Sequence, residues 1–374
     1  MYAAENHIQL LKNNLSNEVW ESGCEWVWQQ IFPLSMDLTG KHSNQTLQTQ
    51  KKWSSINTMD PAYDQYEKVR EFYRTHEYLA WIGEDESDEE TIRSASEEAL
   101  DQSENANSPA NTDSASAKIS DQPMIYPMQQ LMDYDFLMKH FYNVHTSTTA
   151  DRELMNAKNL LSKDLTLEKE DAPQILIYHT HSQESYKNSK KDENVVAVGQ
   201  KLTDLLTEKG WNVYHDTTVY DLAVGKLDRS RAYTYALEGI NEILARYPSI
   251  QVVLDIHRDG VGEDVYLKTE IGGQPSARIM FFNGLSQTPE GPISYLANPF
   301  REDNLAFSLK LQLKAEEYYP GFTRKIYLKG LRYNQHLRAR SALVEVGAQT
   351  NTFEEACNAM MPLAELLDMV LQGK

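Results

Sequence analysis

Three short stretches of this 374-residue chain concentrate side chains that can do chemistry. His179-Thr180-His181-Ser182-Gln183-Glu184 puts two imidazoles and a carboxylate close together. Asp255-Ile256-His257-Arg258-Asp259 adds a third imidazole between two carboxylates, and Leu343-Val344-Glu345-Val346-Gly347 carries one carboxylate in an apolar run. Two imidazoles and a carboxylate meeting at one point suit a Zn2+ ion, which favours tetrahedral N and O ligands and, in catalytic sites, keeps its fourth position for water. Such an ion lowers the pKa of its water from about 15.7 to about 7 and polarises a carbonyl under attack. Hydrolysis then needs a base that is not itself a ligand. Glu345, flanked by Leu343, Val344 and Val346, fits that need, because partial burial raises a carboxylate's pKa toward neutrality.

His181, Glu184 and His257 are read as the metal ligands. Alternation along an extended chain puts His179 and His181 on the same side, so the choice between these two imidazoles stays open in the sequence. His179 is read as standing behind the ligands, where it orients one of them or touches substrate. Asp255, one strand period before His257, is read as an acceptor for its ring. Arg258 and Asp259 are read as clamping substrate carboxylates or holding the loop, with a local ion pair as the competing reading. His7, His42, His76, His140, His145, His215 and His336 are read as packing or hydrogen-bonded residues rather than ligands.

The elements that must position these groups follow an alternating pattern. Ile175–Tyr178, Trp211–His215, Ile250–Ile256, Arg278–Asn283 and Ala342–Val346 read as strands. Val195–Lys209, stopped by Gly210, reads as a helix, as do Ser230–Arg246, Asn304–Tyr318 and a closing stretch Phe353–Leu371. Strands alternating with helices predict an α/β fold with a mostly parallel sheet flanked by helices. In such sheets ligands gather at the carboxyl ends of the strands, where all three chemical stretches fall.

Upstream the composition changes. Residues 84–122 hold twelve acidic against two basic residues, with few large apolar groups. Such a segment cannot bury enough surface to offset its ordering entropy, and it is read as a disordered acidic linker. Before it, residues 1–83 are rich in Trp, Tyr and Phe and read as a small helical region. Residues 123–374 are then the catalytic domain. The net charge of −19 argues against nucleic acid as a partner. Cys24 and Cys357 are too few and too far apart for a disulfide framework or a thiolate metal site. No stretch approaches the roughly 18 apolar residues of a membrane span, and no export signal is visible. A cytoplasmic protein and the soluble part of an exported one both fit.

At the chemical residues the chain resembles the stage II sporulation protein P family. The likeness rests on Ile177-Tyr-His-Thr-His-Ser-Gln-Glu-Ser-Tyr186, Asp255-Ile-His-Arg-Asp259, Tyr333-Asn-Gln335, and Leu343-Val-Glu-Val-Gly347 followed by Asn351-Thr-Phe-Glu-Glu355. It extends through Val195-Val-Ala-Val-Gly199, Pro320-Gly321 and Arg324, begins at Phe141-Tyr-Asn-Val144, and covers roughly Met124 to the C-terminus. The resemblance implies a zinc-dependent cell-wall hydrolase with an amidase-like fold. Its substrate would be peptidoglycan, cut at the N-acetylmuramoyl-L-alanine amide, with cross-link cleavage as a further family activity. It implies partners, the stage II sporulation proteins D and M, and a place at the outer face of the cytoplasmic membrane at the sporulation septum. Glu184 and the strand-end histidines match the family's metal motif, and Glu345 its catalytic carboxylate. A noncatalytic peptidoglycan-binding scaffold and a zinc carboxypeptidase are the competing expectations.

Overall fold

The computed structural model describes residues 123–223, 226–227 and 229–374. The helical reading of residues 1–83 and the linker read at 84–122 lie outside the described residues. Seven strands form the main sheet: β1 (Tyr142–Val144), β2 (Ile175–Tyr178), β3 (Val213–His215), β4 (Val252–Asp259), β5 (Ile279–Gly284), β6 (Ile326–Lys329) and β7 (Arg340–Ala348). Their order across the sheet is β1-β6-β5-β7-β4-β2-β3. All pairings are parallel except β5 with β7, so β1, β6 and β5 run against the other four. The expected mostly parallel, helix-flanked sheet is thus present, with one reversal that periodicity alone does not encode.

The helices that matter here are α1 (Tyr134–Phe141), α2 (Val195–Glu208), α3 (Arg229–Arg246), α4 (Arg301–Tyr318) and α5 (Met360–Leu371). Helix α2 starts where the Asn194 side chain accepts from the N–H groups of Val196 and Ala197, and it stops at Gly210, whose φ of +88° only glycine adopts cheaply. The single closing helix expected over Phe353–Leu371 is two: Phe353–Asn358, opened by a Thr352/Glu355 capping box, and α5. Pro362 explains the break, since it cannot donate to the carbonyl of Asn358 and its ring crowds that group.

Alternation sorts the strand residues between two faces. Ile175 and Ile177, Val252, Leu254 and Ile256, and Ala342, Val344 and Val346 join the larger core with buried residues of α2, α4 and α5. Leu176, Tyr178 and Val253 face the other way, against Ala236, Ile240, Ile243 and Leu244 of α3. Leu343 lies in a cluster with Tyr233, Phe282 and Tyr333. By the period of two, Asp255 and His257 on β4 and Glu345 on β7 share the α3 side. A slip of one residue would exchange the faces of every one of these side chains, and with both faces buried the register is strongly fixed. Among the described residues no helix is long and apolar enough to cross a membrane.

Candidate metal centre

Strands β2, β4 and β7 are parallel, with β4 between the other two, so their carboxyl ends open on one edge. After Tyr178 the chain leaves β2 and turns back, with the Glu184 N–H donating to the His181 carbonyl at 3.1 Å. That turn stacks His181 and Glu184 on one side. The His181 Nδ1 lies 3.5 Å from Glu184 Oε1, and the His257 Nδ1 lies 3.5 Å from Glu184 Oε2. The two imidazole rings meet edge to face at 4.9 Å. One ligand atom from each of the three residues falls within 4.8 Å of the others, as a single ion requires.

Asp255 anchors this arrangement from behind. Its carboxylate accepts from the Thr180 N–H and hydroxyl, at 2.9 and 2.6 Å, which pins the start of the turn. Asp255 Oδ1 is also 2.9 Å from His257 Nε2, but the ring N–H is not aligned with it, so the contact is an ion pair more than a directed hydrogen bond. The Arg258 N–H donates to Glu184 Oε2 at 3.0 Å. Asp221, a residue not picked out in the sequence, accepts from the Ser182 hydroxyl and the Gln183 N–H, so both ends of the ligand turn are tied. Tyr233 of α3 was also not anticipated. Its ring lies edge-on to His181 at 5.4 Å and nearly parallel to His257 at 6.3 Å.

Glu345 sits opposite His257 in the β7–β4 pairing. Its Oε2 is buried and, among the described residues, makes no hydrogen bond. Burial and the neighbouring Asp259 carboxylate push the Glu345 carboxyl up to about 8. Just beyond it β7 bulges, and Gly347 takes φ +61°. A Cβ there would lie 2.7 Å from Asn351 Oδ1 and 2.9 Å from the Ala277 Cβ, so this turn requires glycine.

Charge supports a cation at this point. Burial pulls the His257 ring down, yet Asp255 and Glu184 outweigh it and hold the ring's proton affinity well above that of an ordinary imidazole. Burial pushes Glu184 up, and contacts from His181 and His257 outweigh that and hold it well below the carboxylate range. His181 Nε2 is buried and, among the described residues, without a hydrogen-bond partner. An acid-rich, partly unsatisfied pocket of imidazole and carboxylate donors fits Zn2+.

His179 departs from the expectation that it shares a side with His181. The turn that follows the end of β2 at Tyr178 carries His181 to the other side, while His179 keeps the α2 face of Ile175 and Ile177. There its Nδ1 pairs with the Ile256 carbonyl at 3.0 Å, and its Nε2 lies 2.9 Å from His215 Nε2. His179 therefore supports the strand segment just before His257 without touching the ligand group. The Arg258 guanidinium donates to the Ser185 and Asp259 carbonyls, so it holds the loop. Asp259 pairs with Arg324 rather than with its neighbour Arg258.

A family model described as stage II sporulation protein P matches residues 54–368, starting well upstream of the Met124 boundary drawn from the motifs. A curated Bacillus subtilis (strain 168) protein, stage II sporulation protein P, is 28% identical over 214 residues, covering 52% of this chain and 50% of that protein. The chain thus spans about half the length of the curated relative it matches. Among solved structures, the CwlD amidase from Clostridioides difficile in complex with the GerS lipoprotein is similar at 16% identity and a TM-score of 0.34, covering 52% of this chain and 99% of that one. The N-acetylmuramyl-L-alanine amidase Ami1 from Mycobacterium abscessus is similar at 13% identity and a TM-score of 0.27, covering 54% of this chain and 97% of that one.

Proposed function

The chain belongs to the stage II sporulation protein P family, and from that premise we propose that it is a zinc-dependent peptidoglycan hydrolase that cuts the amide between the N-acetylmuramoyl lactyl group and L-alanine. The observation that carries this reading is the pairing of the His181–Glu184–His257 donor group, half-buried at His181 and buried at the other two, with a half-buried Glu345 directly across from His257, whose Oε2 is buried and makes no hydrogen bond among the described residues. A zinc ion, when bound, would supply Lewis-acid polarisation of the carbonyl and an activated water.

The chain's own residues do the rest. His181, Glu184 and His257 would hold the ion, with Asp255 and Asp221 fixing the turn and strand end that present them. Glu345 takes the proton of the attacking water and delivers it to the leaving amine, so the lactyl carbonyl gains the hydroxyl and L-alanine leaves with a free amino group. A carboxyl at about 8 suits that double role, because a neighbouring cation draws it down toward neutrality. Tyr233 closes one side of the ligand rings with an aromatic wall.

Family membership supports two further parts of the proposal: work in the cell envelope at the outer face of the cytoplasmic membrane of the sporulation septum, and partnership with the stage II sporulation proteins D and M. The test is digestion of defined muropeptides with and without zinc, read by product mass. Release of the intact stem peptide, lost on chelation and restored by zinc, is the expected result. Binding to sacculi without new amino groups would replace the enzyme with a scaffold. Better cleavage of isolated peptides would replace it with a carboxypeptidase.

A further inference from the structure

Among the described residues, three guanidinium groups at this end of the sheet are committed to partners. Arg258 donates to two backbone carbonyls, Arg324 pairs with Asp259, and Arg278 donates to the Gly321 and Thr323 carbonyls. Arg229, in the first turn of α3, differs. Its Nη1 lies 3.9 Å from Glu184 Oε1, too far for a hydrogen bond, and that is its one ion-pair contact among the described residues. Its side chain is 41% exposed while that of Glu184 is 5% exposed, so the guanidinium stands between solvent and the buried donor group.

The position is held, not incidental. The chain that leads into α3 is tied to the ligand turn through Asp221, which accepts from Ser182 and Gln183. It then pairs Leu222 with Leu227 in a short hairpin, and Arg229 follows. Val219, Leu222 and Leu227 are exposed, so apolar side chains stand near Arg229 on this rim. Once Glu184 is committed to a metal ion, Arg229 has no other ion-pair partner among the described residues. A guanidinium fork left facing solvent beside a hydrolytic centre, in a chain of net charge −19, is suited to a carboxylate arriving with the substrate.

Resting on the amidase reading above, we propose that Arg229 is a specificity-determining residue, which recognises a free carboxylate on the stem-peptide residue that follows L-alanine. The site then selects acidic stem peptides over those whose carboxylate has been converted to a carboxamide. The fork supplies two parallel N–H donors to a carboxylate and none of the acceptors that a carboxamide N–H needs.

The test uses two substrates, N-acetylmuramoyl-L-alanyl-glutamate with its γ-carboxyl capped as the methylamide in both, its α-carboxylate free in one and converted to the carboxamide in the other, and the full chain loaded with zinc. Wild type is expected to show a kcat/KM at least tenfold higher on the acid, carried mainly by KM, and Arg229→Gln brings the ratio of the two substrates close to one. Arg229→Lys, which keeps charge but loses the fork, gives an intermediate ratio and serves if the glutamine variant does not fold. A second readout is independent of turnover: binding of both compounds to zinc-loaded Glu345→Gln protein, with and without Arg229→Gln, by calorimetry. A preference for the acid that vanishes with Arg229→Gln supports the assignment even if the muramoyl amide proves not to be the bond cut. Equal handling of both compounds by wild type, or an equal loss on both in the variant, overturns it.

Discussion

Glu345 and His257 face one another in register across the parallel pairing of β7 and β4, on the side of the sheet that α3 covers. Neighbouring positions on paired strands hold their side chains within about 5 Å of one another. A carboxyl that would act as base is thus placed beside an imidazole that would act as ligand by backbone hydrogen bonding alone, with no loop needing to close. Sites built on strands hold their geometry better than sites built on loops.

Replacing Glu345 by Gln keeps shape and volume and removes the proton carrier. The expected result is normal zinc content, by metal analysis of the purified protein, with turnover of muropeptides lower by about 10²- to 10⁴-fold. Loss of zinc along with activity would make Glu345 a ligand instead.

Gly199, within helix α2, is explained by contact with His179. A Cβ at this position would fall 2.5 Å from His179 Cε1 and 3.1 Å from His215 Nε2. Gly199→Ala gains helix propensity yet forces this packed imidazole pair apart. The expected net effect is a loss of about 1–3 kcal/mol in denaturant unfolding, the usual range for an overpacked core.

The strand ends that carry the chemistry were legible because β2, β4 and β7 are apolar runs that stop at polar clusters, and α2 was legible from its Asn194 cap and Gly210. The short strands β1 and β6 were not, since a three-residue Tyr142–Val144 and a four-residue Ile326–Lys329 carry too little pattern and owe their strand form to pairing with each other and with β5. Strand direction has no sequence signature, which hid the reversal between β5 and β7. The expectation that His179 and His181 share a side failed because alternation was carried past Tyr178, where the strand ends and the chain turns. Asp221, Arg229 and Tyr233 reach the site from one segment between the His179–Glu184 and Asp255–Asp259 stretches, and nothing in their local sequence marks them.

Burial draws the His179 ring down to about 4, so it stays neutral in the folded protein while the unfolded chain takes up a proton near 6.5. The unfolded state therefore binds more protons between those values, and stability rises with pH there. The contribution of His179 is fully present above pH 6.5 and is lost as pH falls toward 4, a swing of about 3 kcal/mol. The stability difference between wild type and His179→Asn, measured by denaturant unfolding of zinc-free protein at several pH values, is expected to shrink along that interval. A difference that stays constant would mean the ring is not buried as neutral imidazole.

Zinc should also act as a stabilising ligand, because the donor group exists only in the fold. Free zinc at 100 times its dissociation constant adds about 2.7 kcal/mol to unfolding, and chelation removes it. His257→Ala deletes one of three donors and leaves Asp255 and Glu184 as buried carboxylates with less to neutralise them, so it should destabilise the chain even without metal. Glu345→Gln leaves all three donors in place. Thermal unfolding with and without zinc then separates the roles: the zinc-dependent rise in Tm persists in Glu345→Gln and disappears in His181→Ala and His257→Ala. Should His179→Asn lose the rise while His181→Ala keeps it, the ligand assignment between these two imidazoles would have to be reversed.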